Sequence, residues 1–471
     1  MTIDIRHKIM FNKQTYIQRR KTLAEKIGSG VILLLGNDES PMNYADNGYH
    51  FRQDSTFLYY FGIDFPGLAA VIDVDNDRHV IFGNDYTIDD IVWMGPQPTI
   101  SERATDGGID HSLPIAELAT MMHEALKQSR GVHYLPPYRS ENKLKLQHLL
   151  FLHPDHIAQK SSLKLIRAVV SQREIKSAEE IVEIEKGVDL SVDMHVAAMQ
   201  MARPGMTEAQ VAARVYEIAH AANGEMSFPI IATINGQTLH NHYHGNVLKS
   251  GDLFLLDAGG EVESRYCGDL SSTFPVDTTF TAQQKLVYEM SLHAHQAAID
   301  ALALNAPFRN AHMAACRSIT NSMKELGLMK GDTDAAVAAG AHALFMPCGT
   351  GHMMGLDVHD MENLGEVWVG YDGEPKSTQF GLKSLRLAKP LKAGYVFTIE
   401  PGIYFIPELM DKWQGEGKFT EFINWTEVQK FRNFGGIRNE EDYVMTENGA
   451  RRLGTKMKPK TVAEVEAMRK Y

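Results

Sequence analysis

The chain has 471 residues, too many for one ordinary core and enough for two or three domains. Lys and Arg number 47 against 59 Asp and Glu, a formal charge of −12, which excludes the basic face of a general nucleic-acid binder and leaves room for metal cations. With 44% hydrophobic and 23% charged residues, the composition is that of a folded globular protein and excludes disorder over most of the length.

Three cysteines are present, Cys267, Cys316 and Cys348, with no CxxC pair. Neither a disulfide framework nor a thiolate zinc site is expected, and all three read as small buried hydrophobes. The polar start MTIDIRHKIMFNKQTYIQRRK lacks the apolar stretch of a signal peptide, and Val31–Leu35 is too short to span a bilayer. A cytoplasmic protein without a membrane partner is the expectation.

In chain order, a helix-prone basic segment runs to about Ile27, followed by the apolar run Val31–Leu35. Further strands are predicted at Thr56–Phe61, Leu68–Ile72 and His79–Phe82, separated by Gly and Asp turns. Helical periodicity returns over Ile115–Gln128, where Leu118, Met121, Met122 and Leu126 share a face. This first part is read as α/β. Ser177 and Glu180 spell a capping box that opens a long amphipathic helix to about Ala202. A domain junction is therefore expected at 170–178, dividing the chain into 1–174 and 175–471. A second helix over Glu208–Ala221 precedes a β-rich stretch.

The second part contains an internal repeat. Leu248–Gly259 reads LKSGDLFLLDAG and Leu391–Gly402 reads LKAGYVFTIEPG, aligned without a gap, with Asp257 opposite Glu400. Each copy is a Lys-Xaa-Gly turn, a buried strand and a carboxylate near the strand's end. Burying those carboxylates is costly without a cationic partner, and a metal ion is an economical one. Asp269 lies twelve residues after Asp257, which suits a hairpin returning beside the first strand. In GGIRNEEDYVM, period-two alternation puts Arg438, Glu440 and Asp442 on one face and Glu441 on the other, without saying which face looks inward. Nitrogen ligands are available from His352 and His359 in CGTGHMMGLDVHD, where Gly349, Gly351 and Gly355 would let backbone approach a ligand. His240, His242 and His244 in TLHNHYHG alternate as they would along one face of a strand.

Four segments, LLDAGGEVESRYCGDLSSTFPV, GTGHMMGLDVHD, TIEPGIYF and GGIRNEED, together resemble the pita-bread metallopeptidases, specifically Xaa-Pro aminopeptidases and Xaa-Pro dipeptidases (prolidases). The resemblance covers about 180–450 and extends through FRQDSTFLYYFGID into the first part. It implies an α/β (α+β) chain, with a creatinase-like N-terminal domain ahead of a pita-bread catalytic domain with an internal pseudo-twofold repeat. It further implies two divalent metals, Mn²⁺ first with Co²⁺ or Zn²⁺ possible, on Asp257, Asp269, His352, Glu400 and Glu440. The implied reaction is hydrolysis of the Xaa-Pro bond of proline-containing dipeptides or short peptides by a hydroxide bridging the metals. Glu400 is then the proton acceptor, His240 and His359 act on the substrate side, and Arg438 stands beside the last ligand at the substrate.

GLKSLRLAKPLKAGYVFTIEPGIYF looks more like prolidases, in which an arginine at the position of Arg386 is associated with gripping a dipeptide's terminal carboxylate. A dipeptidase is favoured over an aminopeptidase acting on longer peptides, and an inactive binding module is the reading from another class. The resemblance also implies a homodimer or higher homo-oligomer. The Asp257–Asp269 interval is one residue longer than in many members of the family.

Overall fold

The computed structural model describes residues 10–470, which fall into two compact units. The first comprises the chain to Arg173 with Asn363–Gly365, and the second comprises Glu174–Glu362 with Glu366 onward.

In the first unit, strands β1 (Val31–Leu35), β2 (Ala69–Asp73), β3 (Arg78–Phe82), β4 (Ser112–Leu113) and β5 (Val132–His133) form one mixed sheet in the order β4-β3-β2-β1-β5. The β1–β2 and β2–β3 pairs are antiparallel, and the edge pairs β1–β5 and β3–β4 are parallel. Val31, Leu33, Val71, Val80 and Phe82 pack against Leu118 and Met122 of the helix Glu117–Lys127 and Leu146 and Leu149 of the helix Ser140–Leu150. Removing each such side chain from water contributes roughly 1.5–3 kcal/mol.

Thr56–Phe61, predicted as a strand, is part of a helix, Ser55–Phe61. Asp54 caps it by accepting the Phe57 N–H at 2.8 Å, and Gly62 ends it in the left-handed conformation. All seven residues are buried, so the run has no polar face and its periodicity could not separate helix from strand. Two buried arginines of the preceding helix, Lys13–Ile27, satisfy its last carbonyls. Arg19 Nη1 donates to Tyr59 O at 3.0 Å, Arg20 Nη1 to Tyr60 O at 2.8 Å, and Arg20 Nη2 to Gly108 O at 2.8 Å.

The second unit is built on antiparallel strands: β6 (Glu225–Met226), β7 (Ile231–Thr233), β8 (Leu253–Ala258), β9 (Gly260–Glu261), β10 (Leu270–Pro275), β11 (Val396–Ile399), β12 (Gly402–Tyr404), β13 (Gly436–Arg438), β14 (Glu441–Thr446) and β15 (Gly449–Arg452). Two three-stranded sheets, β10-β8-β7 and β11-β14-β15, are accompanied by the pairs β12–β13 and β6–β9. Long helices follow the expected pattern: Ala178–Met201 opens on the Ser177–Glu180 capping box, and Glu208–Ala221 comes next. Ala282–Asp300 and Arg309–Glu325 pair later in the unit. Among the described residues, no helix is long and apolar enough to cross a membrane.

The sequence repeat is a structural repeat. β8 and β11 each begin five residues into their copy, after turns whose glycines, Gly251 and Gly394, hold φ of 89° and 90°. Those angles are open to glycine at little cost and strain any other residue. β8 is flanked by β7 and β10. β11 is flanked by β14 and by an extended segment, with Thr398 N–H donating to His352 O at 3.0 Å and Glu400 N–H to Thr350 O at 2.8 Å. The two halves join where β10 meets the β13–β14 region: Glu440 N–H donates to Ser271 O at 3.1 Å, and Arg438 N–H to Thr273 Oγ1 at 3.1 Å.

Arg20→Ala removes a buried guanidinium and leaves two carbonyls without their donors. We expect a loss of about 3 kcal/mol from the first unit in denaturant unfolding. A loss below about 1 kcal/mol would show that water replaces the guanidinium at little cost.

Candidate active site

The two halves of the second unit enclose a cavity of about 280 Å³. Its walls include all nine candidate residues, Asp257, Asp269, His352, Glu400, Glu440, His240, His359, Arg386 and Arg438.

Asp257 sits on β8, and Asp269 stands one residue before β10 on the returning strand, with Ala258 opposite Leu270. The twelve-residue interval contains the short β9 and a tip at Val262–Tyr266, where Arg265 takes a φ of 67°. His352 and Glu400 come from the second half, on the extended segment and just beyond β11. Glu440 lies in the bend between β13 and β14. Its Oε2 accepts from Ser271 Oγ at 2.7 Å. Glu441 points elsewhere, to Lys460 Nζ at 2.7 Å. Burial would raise the Glu441 carboxyl, but Lys460 and Lys458 outweigh it and hold it down at about 2.

Ligand-capable atoms of Asp269, His352 and Glu440 lie within 4.8 Å of one another. His352 Nδ1 is 3.1 Å from Met353 O, the contact that places the ring proton on Nδ1. Nε2 then presents a lone pair 3.3 Å from Asp269 Oδ2 and 3.5 Å from Glu400 Oε1. Asp269 Oδ1 is buried with no hydrogen-bond partner, while Oδ2 of the neighbouring Asp442 accepts the Asp269 N–H at 3.0 Å. Burial first, and the neighbouring carboxylates second, push Asp269, Glu440 and Asp442 well above the usual carboxylate range. Glu400 is raised as well, chiefly by burial. His352 is held below its ordinary value by burial, so its ring is neutral. Lone pairs and carboxylates converging on one point, with a bare carboxylate oxygen among them, fit divalent cations and little else.

Arg438 is the guanidinium inside this cluster. It is 4% exposed, so its hydrogen bonds are made to protein: Nη2 to Asp257 Oδ2 at 2.6 Å, Nε to Ser271 Oγ at 2.9 Å and Nη1 to Tyr404 OH at 2.8 Å. These donors brace Asp257 and the β10–β13 junction, and the side chain also lines the cavity where a substrate-side arginine was expected.

His359 packs edge-on against His352, with ring centroids 4.1 Å apart. Its Nδ1 lies 2.5 Å from Glu362 Oε2. Burial and the His352 ring lower His359, whereas the His359 contact, with Arg386 adding to it, holds Glu362 at about 2. Arg386 Nε is 3.3 Å from Glu362 Oε2 and 3.5 Å from Glu366 Oε1, with the side chain one-third exposed at the cavity wall. Glu362 was not singled out in the sequence, although its place three residues after His359 is the one available signal. Asp442 and Tyr404 were likewise given no role.

One expectation is corrected. Residues 240–246 form a loop, not a strand, so alternation does not align the three histidines; His240 and His242 line the cavity and His244 does not. Gly349 and Gly351 of the CGTGHMMG segment line the cavity, and Gly351 and Gly355 are also packed tightly against protein neighbours. A Cβ on Gly351 would lie 2.8 Å from Phe308 Cζ, and one on Gly355 would lie 2.8 Å from Asp360 Oδ2, the buried partner of Lys176. Cys267 and Cys316 are buried as expected, whereas Cys348 is partly exposed in the cavity wall.

Comparison with known proteins agrees with this geometry. Residues 182–447 match Metallopeptidase family M24, and residues 16–134 match the Aminopeptidase P, N-terminal domain. The human Xaa-Pro dipeptidase is 30% identical over 97% of this chain and 92% of its own length. A probable Xaa-Pro aminopeptidase of Aspergillus niger is 27% identical over 93% of each chain. Among solved structures, Pseudomonas aeruginosa aminopeptidase PepP superposes with a TM-score of 0.81 at 27% identity, covering 98% of this chain and 99% of that one. Zn-substituted Escherichia coli aminopeptidase P in complex with product gives 0.80 at 26% identity over 98% of both. A family match over more than half the chain, a full-length relative at 30% identity and a cavity floored by imidazole and carboxylates lead to one conclusion: the chain is a hydrolase belonging to metallopeptidase family M24.

Proposed function

We propose that the cavity hydrolyses the bond between an N-terminal residue and proline, with Xaa-Pro dipeptides as the favoured substrates. The observation that carries this reading is the Asp269–His352–Glu440 cluster on the cavity floor, with Arg386, His240 and His359 on the walls above it. Proline's nitrogen has no N–H and its ring restricts the backbone, so such a bond needs a dedicated site.

Asp257, Asp269, His352, Glu400 and Glu440 are the proposed holders of two divalent cations. An oxygen-rich set with one imidazole favours Mn²⁺, with Co²⁺ or Zn²⁺ as substitutes. When bound, such ions supply Lewis acidity and lower the pKa of water at neutral pH. The chain's own groups do the rest. Glu400, partly exposed and with its carboxyl raised by burial, is suited to take a proton at Oε1 from the attacking water and pass it to the proline nitrogen. Glu362 fixes the His359 ring through Nδ1, leaving Nε2 for the substrate; on gaining a proton that atom donates to the oxygen that becomes negative. His240, on the opposing loop, is placed to position the proline side. Arg438 is a positioning residue for Asp257.

The dipeptidase preference rests on Arg386. Its guanidinium is anchored at Nε, which leaves the outer edge of the fork able to meet a proline carboxylate. The full-length similarity to human Xaa-Pro dipeptidase supports the same reading. The superpositions on aminopeptidase P favour the second reading, an aminopeptidase cleaving longer peptides.

Residues 1–174 are taken as the non-catalytic domain and 175–471 as the catalytic one, since every residue lining the cavity lies between Phe228 and Glu440. A cytoplasmic location is supported by three cysteines that are all free. Homodimerisation is supported by the helix Ile88–Met94, which leaves Ile88, Val92, Trp93 and Met94 more than half exposed.

Three measurements test these assignments. The Mn²⁺-loaded protein should turn over Xaa-Pro dipeptides far faster than Xaa-Pro-Yaa tripeptides; comparable rates would replace the dipeptidase reading with the aminopeptidase one. Asp257→Ala and Glu440→Ala should each lower bound metal and reduce kcat/KM by ~100-fold or more. Unchanged stoichiometry and rate would end the dinuclear assignment. Arg386→Ala should raise KM for dipeptides by roughly 10–100-fold, the loss of a charge-assisted hydrogen bond. An equal rise for tripeptides would contradict a carboxylate clamp.

A further inference from the structure

Behind the cavity floor lies a second cluster of ligand-type side chains, chemically unlike the first. The helix Arg309–Glu325 places His312 and Cys316 one turn apart on the same face. The 3₁₀ turn Ala341–Leu344 brings His342 up to them. One ligand atom from each of the three lies within 4.8 Å of the others. All three side chains are buried, His312 and Cys316 completely and His342 to within 2%.

The hydrogen bonds in this cluster are incomplete. His312 Nδ1 meets Thr350 Oγ1 at 2.8 Å, and its Nε2 lies 3.5 Å from Cys316 Sγ. A thiol-to-imidazole bond accounts for that pair by itself. It does not account for His342, whose buried ring nitrogens make no well-formed hydrogen bond, the Val337 carbonyl being the one backbone acceptor in reach. Val337 can serve only one ring nitrogen, and a buried imidazole with the other unsatisfied is costly and uncommon; a sulfur and a second imidazole nitrogen lie within 4.8 Å of it.

We propose that His312, Cys316 and His342 form a further metal site, separate from the carboxylate cluster, that takes one borderline-soft cation of the Zn²⁺ class. Two imidazoles and one thiolate select such an ion over Mn²⁺ or Mg²⁺, which prefer oxygen. Burial keeps both rings neutral, lowering His312 to about 3 and His342 to about 4, and neutral imidazole is the ligating form. Burial also pushes the Cys316 thiol up, so the sulfur keeps its proton until a cation displaces it to solvent. Thr350 gives the site its connection to catalysis. Its hydroxyl fixes the His312 ring, and its carbonyl accepts the Glu400 N–H at 2.8 Å. An ion there would act as a strut beneath the segment that carries His352.

The test uses full-length protein stripped of metal and reloaded with Co²⁺, read by elemental analysis and by absorption. The carboxylate cluster has no sulfur ligand, so a thiolate-to-cobalt charge-transfer band reports only a cysteine site. We expect three Co²⁺ per chain and such a band in the wild type. The band should persist in Cys348→Ser, the cysteine that borders the main cavity, and vanish in Cys316→Ser and His342→Gln with stoichiometry falling to two. Competition with Zn²⁺ should abolish it in the wild type. A saturated wild type without the band overturns the proposal whether or not the variants fold, as does a band that survives Cys316→Ser.

Discussion

Everything in the second unit turns on the cost of keeping several carboxylates together out of water. Asp257, Asp269, Glu400, Glu440 and Asp442 share one region, and the guanidinium that reaches into it is that of Arg438, committed to Asp257. Burial first, and mutual repulsion second, push four of these groups toward their neutral forms. Such an arrangement persists only if the surrounding structure over-determines it, and divalent cations relieve it. Ser271 holds Glu440 directly, and Ser271 and Tyr404 hold Arg438, which in turn braces Asp257.

The fold provides that scaffold by using one device twice. A Lys-Xaa-Gly turn feeds a wholly buried strand, and the tenth residue of each copy is an acid, Asp257 on β8 and Glu400 just beyond β11. Neither half forms the cluster alone. β10 supplies Ser271 and Thr273 to the backbone and side chains of Arg438 and Glu440, so the junction of the two halves is also the wall of the site. Catalysis and stability therefore draw on the same hydrogen bonds, and substitutions at Ser271 or Arg438 should not separate them cleanly.

Much of this architecture was legible because it rests on local rules. The Ser177 capping box, the glycine turns and the alternation of Arg438, Glu440 and Asp442 each state a backbone geometry in a few residues. The gap-free repeat by itself sets Asp257 opposite Glu400. What failed turned on burial and tertiary contacts more than on pattern. The buried helix Ser55–Phe61 lacks a polar face, and its fate was decided by the Asp54 cap and by arginines far away in sequence. The TLHNHYHG histidines alternate without being in a strand. Glu362, which orients His359, and the joining of His312 and Cys316 with His342 depend on tertiary contacts.

Burial and neighbouring carboxylates raise the acids of the cavity floor, and the central claim is that metal entry relieves this, so that protons leave the site as metal binds. Isothermal titration of the stripped protein with Mn²⁺, in neutral buffers of different ionisation enthalpy, measures this directly. The account predicts a net release of protons per chain, seen as an apparent enthalpy that varies linearly with the buffer's own. Metal binding with an enthalpy independent of buffer would mean that the carboxylates were already ionised, and would contradict the account.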